Sequence, residues 1–261
     1  MLAPIFNTGF SSHITEHCNL NCHCCGVFSP IAKPQFISVE SFEKDWTKLS
    51  ELNDGTFTKI SILGGEPLLH PELLQIISIC REIFPKPAIY LCTNGLLLTK
   101  MDEPFWECCK KYNVELLITR YPININENIL KTISNYYRVP TYIYPDTPRK
   151  MYLTPIDVTG SQDAKDKFNN CWHRSDCPKE IRDGKVWGCL LASHVHHFNQ
   201  YFNENIEISE KNYIDLNTVN HFDEIVDFLN KELPICRYCK WNYGKENEKW
   251  EKSQKKIEEW T

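Results

Sequence analysis

The chain has 261 residues, of which 42% are hydrophobic, 12% aromatic and 24% charged. This composition suits one large domain, or one domain with an appendage, and it excludes an intrinsically disordered chain. The formal net charge of −5 gives no basic footprint for nucleic acid, and no apolar stretch approaches the roughly 18 residues of a membrane span. The first residues lack the features of a signal peptide, so we expect a cytoplasmic protein with no nucleic acid and no membrane as partner.

Strand-like and helix-like segments alternate over the first two-thirds of the chain. After Ser38, which can cap a helix, Phe42, Trp46 and Leu49 recur at helical spacing. We predict strands at residues 12–17, 59–63, 88–92 and 114–119, weaker strands at 139–144 and 151–153, and helices at 39–49, 71–84, 104–112 and 127–136. Repeated βα units predict an α/β fold with a parallel sheet, open or curled into a partial barrel.

The pattern changes after residue 155, where a second, smaller domain is predicted. Asp183-Gly184 is the signal of a two-residue β-hairpin turn within residues 180–187, and a helix near residues 222–229 is closed by Pro234. In the charged tail, aromatic and aliphatic residues fall near one helical face. The predicted domains are therefore residues 1–155, residues 156–243 and a helical tail at residues 244–261.

Thirteen cysteines are the unusual feature of the composition. In a cytosolic chain of this length they indicate metal or redox chemistry more than disulfides. Cys18-x3-Cys22-x2-Cys25 lies in the loop that leaves the first predicted strand, and three thiolate ligands would leave one iron of a four-iron cubane open. The alternatives are a zinc knuckle or buried thiols that bind no metal. A zinc ribbon needs a second cysteine pair about 15–20 residues on, whereas the next thiol is Cys80.

A second motif, Gly64-Gly65-Glu66-Pro67, ends the second predicted strand. Together with the three-cysteine loop it resembles the radical S-adenosylmethionine (SAM) superfamily. The resemblance implies a [4Fe–4S] cluster on Cys18, Cys22 and Cys25, with SAM bound by Gly64, Gly65, Glu66 and Pro67. Glycine has no Cβ, so main-chain carbonyls can approach the methionine ammonium, while Glu66 offers a negative charge.

Two further SAM contacts are implied by position alone. Asn94 lies in a Thr-Asn-Gly segment after the third predicted strand, where the superfamily has a similar segment. Thr119 or Arg120, after the fourth strand, stands where members often hold the ribose or the carboxylate. A turn or a surface ion pair is the ordinary alternative at each position.

A second group of cysteines follows the change of pattern. Cys171-x12-Gly184-x4-Cys189 and the later Cys236-x2-Cys239 resemble the twitch domain, the shortened SPASM extension, which implies a second auxiliary [4Fe–4S] cluster on these four thiols. A structural zinc on the same ligands is the alternative. Cys177 is the rival to Cys171, but it lies too close to the hairpin glycine. Three histidines are expected at the surface or facing substrate, in a strand or turn: His194, His196 and His197.

The resemblance implies a partial (β/α)6 TIM-like barrel and an enzyme that cleaves SAM reductively to a 5′-deoxyadenosyl radical. Its partners would be a small-molecule substrate and an electron donor such as flavodoxin or ferredoxin. Only about ten residues precede the first predicted strand, so we expect no leader-peptide-binding domain. A carbohydrate or aminocyclitol is favoured as the substrate, for dehydrogenation or epimerisation. The alternatives are a peptide-modifying maturase and a non-catalytic iron–sulfur or zinc-binding protein.

Epimerisation would need a hydrogen-atom donor, and a thiol is the usual chemical choice. Six cysteines remain after seven are assigned to clusters, and four of these read as helix residues or packing. Cys92 and Cys177 are therefore the candidate catalytic donors. Their alternative role is that of a small buried hydrophobic residue.

Overall fold

The computed structural model describes residues 9–52, 57–145, 155–241 and 249–261. Its strands are β1 (Phe10–His13), β2 (Lys59–Leu63), β3 (Ala88–Thr93), β4 (Val114–Thr119), β5 (Thr141–Tyr144), β6 (Lys179–Arg182), β7 (Lys185–Trp187) and β8 (Tyr213–Asp215). Its α-helices are α1 (Val39–Leu52), α2 (Leu73–Ile83), α3 (Glu103–Lys111), α4 (Glu127–Tyr137), α5 (Ala164–Asn169), α6 (Trp172–Asp176), α7 (Leu190–Phe202) and α8 (Phe222–Leu229).

The eight strands form one open sheet in the order β5-β4-β3-β2-β1-β6-β7-β8. The six strands from β5 to β6 run parallel to one another. β7 pairs antiparallel with β6, and β8 pairs antiparallel with β7. Helices after β2, β3 and β4 return the chain between parallel neighbours, as the βα pattern requires. The predicted α/β fold with a partial, unclosed barrel is confirmed. The hairpin continues the same sheet, and the predicted domain boundary at residue 155 stays a prediction.

The core explains why most predicted elements form within a few residues of their expected ends. Phe42, Trp46 and Leu49 of α1 are fully buried against the sheet, as their helical spacing requires. Strand side chains facing the helices, such as Ile60 and Ile62, are equally inaccessible. No described helix is both long enough and apolar enough to cross a membrane.

Three expectations differ from the structure or fall outside it. The tail is not an α-helix in its described part: residues 249–261 are irregular except for a bridge at Lys252 and a short 3-10 turn, Ile257–Glu259, because main-chain groups there pair with residues 21 and 23. The histidine segment is the helix α7, which buries His194 and His197 and leaves His196 exposed. The predicted strand at residues 151–153 lies outside the described residues.

A buried ladder of ionic groups joins the end of β1 to β6 and α7. Glu16 Oε1 lies 2.7 Å from Arg182 Nη2, and Glu16 Oε2 lies 2.6 Å from His197 Nε2. His194 lies between two carboxylates, with Nδ1 3.6 Å from Glu16 and Nε2 3.1 Å from Glu180. Each acid therefore faces at least one cation or imidazole, so the buried charges compensate one another.

The ladder shifts the pKa of its members in opposite directions. Burial alone would raise the pKa of Glu16 and Glu180, but the hydrogen bonds and charges of neighbouring histidines outweigh it and lower both pKa values. Burial lowers the pKa of His194, yet the Glu180 charge beside it produces a net rise. Both carboxylates are therefore ionised across the neutral range, and their attraction for the histidines stabilises the fold.

We predict that Glu180→Gln lowers the free energy of unfolding by about 3–5 kcal/mol at pH 7, because it removes the carboxylate charge that faces the buried His194. The pKa of Glu180 is lower in the folded chain than its ordinary value of 4.5. The stabilisation is therefore present above pH 4.5 and is lost as the pH falls, so the difference between variant and native chain should shrink in acid. Urea unfolding under reducing conditions measures it.

Glu51→Gln is the matched control, because Glu51 is an exposed acid 3.4 Å from Lys48 on α1. It should change the unfolding free energy by less than about 1 kcal/mol. Equal effects of the two substitutions would contradict the role assigned to the buried ladder.

Candidate active site

One cavity of about 380 Å³ lies at the carboxyl ends of the parallel strands. Gly64 and Gly65 follow β2, Thr93 and Asn94 end β3, and Thr119 ends β4, and all five residues line it. Cysteines of both predicted groups line the same cavity: Cys18, Cys22, Cys25, Cys171, Cys189 and Cys239. Sequence motifs more than 150 residues apart are therefore brought to one site at the edge where α/β folds hold their chemistry.

The first group of cysteines lies in the loop after β1, and its sulfurs accept hydrogen bonds. Cys18 Sγ accepts from the Leu20 main-chain N–H at 3.4 Å and from Asn94 Nδ2 at 3.6 Å. Cys22 Sγ accepts from Trp250 Nε1 at 3.2 Å. Burial raises the pKa of Cys18 to about 11 and that of Cys22 to about 12. A metal that binds these thiols must therefore displace their protons.

The fourth thiol of that loop does not join the others at the cavity. Cys24 has a left-handed backbone, with φ +54°, and is buried. Its Sγ contacts the main-chain oxygen of Glu259 at 2.6 Å. This arrangement agrees with the packing role expected for it.

The second group converges from three separate segments. Cys171 and Cys189 stand at the N-terminal ends of α6 and α7, while Cys236 and Cys239 lie in and after a 3-10 turn, Pro234–Tyr238. Cys171, Cys189 and Cys239 line the same cavity. Burial raises the pKa of Cys189, and the charges of the other three thiols raise it further. Gly184 makes the hairpin possible, with φ +71° and its N–H bonded to Asp45 at 3.0 Å.

The spacing of the sulfurs bears on which metal could bind. Four thiolates around one zinc ion at about 2.3 Å would stand roughly 3.8 Å apart. Among the described residues, groups of three ligand atoms mutually within 4.8 Å occur only in the buried histidine–glutamate ladder. Thiolate ligands suit both zinc and iron–sulfur clusters, so the metal at the second cysteine group stays a prediction.

The residues of the Gly-Gly-Glu-Pro segment have different structural roles. A Cβ on Gly64 would collide with Thr15, and one on Gly65 would collide with the His17 carbonyl. The glycines thus let two backbones approach, and they leave their own backbone facing the cavity. Beside Gly65, Ser29 Oγ lines the cavity and has no hydrogen-bond partner among the described residues. This orphaned hydroxyl and the adjacent backbone fit a polar ligand such as SAM.

Glu66 does not offer its charge to the cavity. The residue is fully buried and accepts hydrogen bonds from Thr93 Oγ1 at 2.6 Å and the Asn94 N–H at 2.9 Å, while burial raises its pKa. Pro67 begins the buried 3-10 turn that follows. In this structure the Glu66 carboxylate fixes the end of β3, and hence Asn94. The direct electrostatic role of Glu66 toward SAM stays a prediction.

Asn94 and Arg120, the two softer predictions, have different outcomes. Asn94 lines the cavity and its Nδ2 also donates to Asn19 Oδ1 at 2.7 Å. Arg120 pairs with Glu127 at 3.2 Å in a separate cavity of about 190 Å³. The structure does not bring Arg120 to the site because its side chain leaves β4 on the α4 side, whereas Thr119 does line the main cavity.

Both candidate hydrogen donors line the main cavity. Cys92 lies on β3, and burial raises its pKa to about 12, so it stays protonated near neutral pH. Cys177 follows α6 on the side of the second cysteine group. Sequence reasoning missed several other lining residues, although two of the tryptophans are close neighbours of ligand cysteines in the chain: His13, Phe28, Trp172, His173, Trp241 and Trp260.

Comparison with known proteins agrees with this geometry. Residues 12–127 match the family model of the Radical SAM superfamily, so this part of the chain is a radical SAM domain. The matched segment contains the three-cysteine loop and the Gly-Gly-Glu-Pro segment. The resemblance of this segment to the radical SAM superfamily is therefore confirmed.

Two relatives are named GTP 3′,8-cyclase. The protein of Staphylococcus carnosus (strain TM300) is 26% identical over 232 residues, which cover 85% of this chain and 61% of that protein. The protein of Sulfurovum sp. (strain NBC37-1) is 30% identical over 104 residues, or 40% of this chain and 32% of that protein. The chain thus spans between about one third and three fifths of the length of these relatives.

A solved structure supports the fold over nearly the whole chain. The crystal structure of BtrN in complex with AdoMet and 2-DOIA aligns with a TM-score of 0.53 and 14% identity, covering 92% of this chain and 95% of that one. At this identity the similarity establishes the fold alone.

We predict that Glu66→Ala weakens SAM binding by about 1–3 kcal/mol, because the donors from β3 lose their acceptor and Asn94 is no longer held at the cavity. Anaerobic equilibrium binding of SAM measures the affinity, and iron analysis should show the same iron content as the native protein.

Glu82→Ala, an exposed acid on α2, is the control and should leave SAM affinity unchanged. Native affinity in the Glu66 variant would contradict the assignment of this segment to SAM.

Proposed function

We propose that this protein is a radical SAM enzyme that oxidises a small substrate that carries no negative charge, with a second [4Fe–4S] cluster on Cys171, Cys189, Cys236 and Cys239. When bound, the first cluster and SAM would supply a 5′-deoxyadenosyl radical, and the second cluster would supply an acceptor for the electron left on the substrate. The main support for this proposal is that cysteines of both groups line one cavity. A substrate there would lie between the two cofactors.

The cavity lining favours a substrate without negative charge. No lysine, arginine, aspartate or glutamate is among the described residues that line it. Triphosphates are usually bound by arginine and lysine side chains. The chemistry of this wall therefore argues against GTP, on which the named relatives act, and supports a polyol, carbohydrate or aminocyclitol of low negative charge.

The chain's own residues would confine and orient the reacting groups. Phe28, Trp172, Trp241 and Trp260 give the cavity aromatic walls that exclude water. The main chain of Gly64 and Gly65 and the hydroxyl of Ser29 would hold polar groups of SAM. Because these groups lie on strand ends and tight turns, they are fixed before ligands bind.

His13 is suited to accept the proton that an oxidised alcohol must release. It lines the cavity, and its Nδ1 lies 3.0 Å from Glu180 Oε1. In the tautomer whose Nδ1 carries the proton toward Glu180, Nε2 is the ring atom that would accept a proton. Burial lowers the pKa of His13, so the ring is neutral at pH 7 and can act as a base.

Dehydrogenation is preferred over epimerisation because an electron acceptor at the cavity suits oxidation. Epimerisation would instead use Cys92 or Cys177 as the hydrogen donor on the opposite face of the substrate. A peptide substrate is the other alternative. An electron donor such as flavodoxin or ferredoxin would reduce the first cluster.

We predict that anaerobically reconstituted protein holds about eight irons in two cubanes. Changing Cys18, Cys22 and Cys25 together to alanine should leave about four irons and abolish formation of 5′-deoxyadenosine from SAM under dithionite. Iron and sulfide analysis and chromatography of the nucleoside product measure both outcomes.

Cys108→Ala, which removes a half-buried thiol of α3, is the control and should keep eight irons and SAM cleavage. One zinc and one cubane in the native protein would contradict the auxiliary-cluster part of the proposal. SAM cleavage stimulated by GTP, with GTP consumed, would favour the cyclase reaction of the named relatives.

For a dehydrogenase, we predict that Cys92→Ala and Cys177→Ala keep turnover and product within a few-fold of the native enzyme. Product formed in deuterated water should contain no deuterium bound to carbon, because no thiol returns a hydrogen atom. Mass spectrometry of the product measures this. Deuterium at one carbon, lost together with an epimeric product in either variant, would make that cysteine catalytic.

A further inference from the structure

The described tail runs along the cysteine loop and pairs with it at one isolated β-bridge. The Ser253 N–H donates to the Asn21 carbonyl at 2.9 Å, and the His23 N–H donates to the Glu251 carbonyl at 2.9 Å. Cys22 and Lys252 stand opposite each other in an antiparallel bridge. These bonds flank one ligand cysteine on both sides, so the tail fixes the backbone that presents the Cys22 sulfur.

The tail also reaches that sulfur with a side chain. Trp250 Nε1 donates to Cys22 Sγ at 3.2 Å, and the indole ring lies 6.3 Å from the ring of Tyr121, measured between centroids. Both rings pack with Leu20 and Cys22 in a small apolar cluster around the loop. The N–H donor is therefore held in a partly dry environment, where its interaction with a charged sulfur is strengthened.

A second anchor holds the tail farther along. Trp260 is buried, donates its Nε1–H to the Cys25 main-chain oxygen at 3.0 Å, and accepts from the Ile156 N–H at 2.6 Å. Of the two tail tryptophans, Trp250 donates a hydrogen bond to the sulfur of a predicted ligand, whereas the hydrogen bonds of Trp260 go to main-chain atoms and its ring packs against Phe28 and Phe202. Trp250 is therefore the tail residue that acts on the sulfur itself.

We propose that Trp250 is a positioning and tuning residue of the first iron–sulfur cluster, whose indole N–H raises the reduction potential by stabilising negative charge on the Cys22 sulfur. Hydrogen bonds to ligand sulfurs favour the reduced, more negative state of a cluster. The inference rests on the proposed function, because it requires a cluster on Cys18, Cys22 and Cys25. Under this proposal, the tail segment influences how readily the first cluster is reduced, and hence how readily SAM is cleaved.

Trp250→Phe tests the proposal, because it keeps an aromatic ring and removes the N–H. The midpoint potential of the first cluster, followed by electron paramagnetic resonance during a redox titration, should become more negative by about 59 mV, a tenfold change in the ratio of reduced to oxidised cluster. The first cluster is identified as the one lost when Cys18, Cys22 and Cys25 are changed to alanine. The second cluster's potential should not move.

Trp187→Phe is the matched control, since it removes an indole N–H that donates to the Arg182 main-chain oxygen at 3.3 Å, away from the first cysteine loop, and it should leave the potential of the first cluster unchanged. An unchanged potential in Trp250→Phe, or equal shifts in both variants, would overturn the proposal. A native protein that binds no cluster at the three cysteines would instead refute the proposed function.

A measurement on the native protein keeps the test decisive if the variant takes up its cluster poorly. With ¹⁵N-labelled indole, electron–nuclear double resonance of the reduced first cluster should show one coupled tryptophan nitrogen. Absence of that coupling would overturn the proposal, whatever the variant does.

Discussion

The parallel pairing of β1 with both β2 and β6 is the constraint on which the site depends. β1 delivers the first cysteine loop, β2 delivers the glycine pair, and β6 begins the hairpin that leads to Cys189. Because parallel neighbours end at the same edge of a sheet, the pairing brings these segments to one cavity. The buried ladder between Glu16, Glu180 and α7 reinforces that contact with charges that would be costly to separate.

Features that depend on residues near one another in the chain could be predicted from the sequence, whereas contacts between distant residues could not. Lys59–Leu63 and Val114–Thr119 are strands at the predicted residues, because their residue types and the turns around them act locally. The two cysteine groups could also be predicted, since the spacing of ligands along the chain limits the site. The ladder could not, because Glu16 and His197 are separated by 181 residues and nothing local indicates that they meet.

Two misassigned segments show how tertiary contacts override local pattern. The histidines of α7 suggested a strand or turn, but Val195 and Phe198 on the same stretch are buried and require a helix. The tail had helical spacing of its apolar residues, yet Trp250 and Trp260 contact the cysteine loop from a backbone that is not an α-helix. In each case the partner surface decides the conformation, and that surface is not visible from the segment itself.

The distance in sequence between Trp250 and Cys22 has a consequence for biosynthesis. The two residues are 228 positions apart, so the ribosome has made every other described strand and helix before the segment that pairs with the cysteine loop emerges. During translation the loop stays unpaired on one side while the parallel strands beside it can already assemble. The cysteine loop is therefore less enclosed in the nascent chain than in the finished fold, where the tail pairs with it.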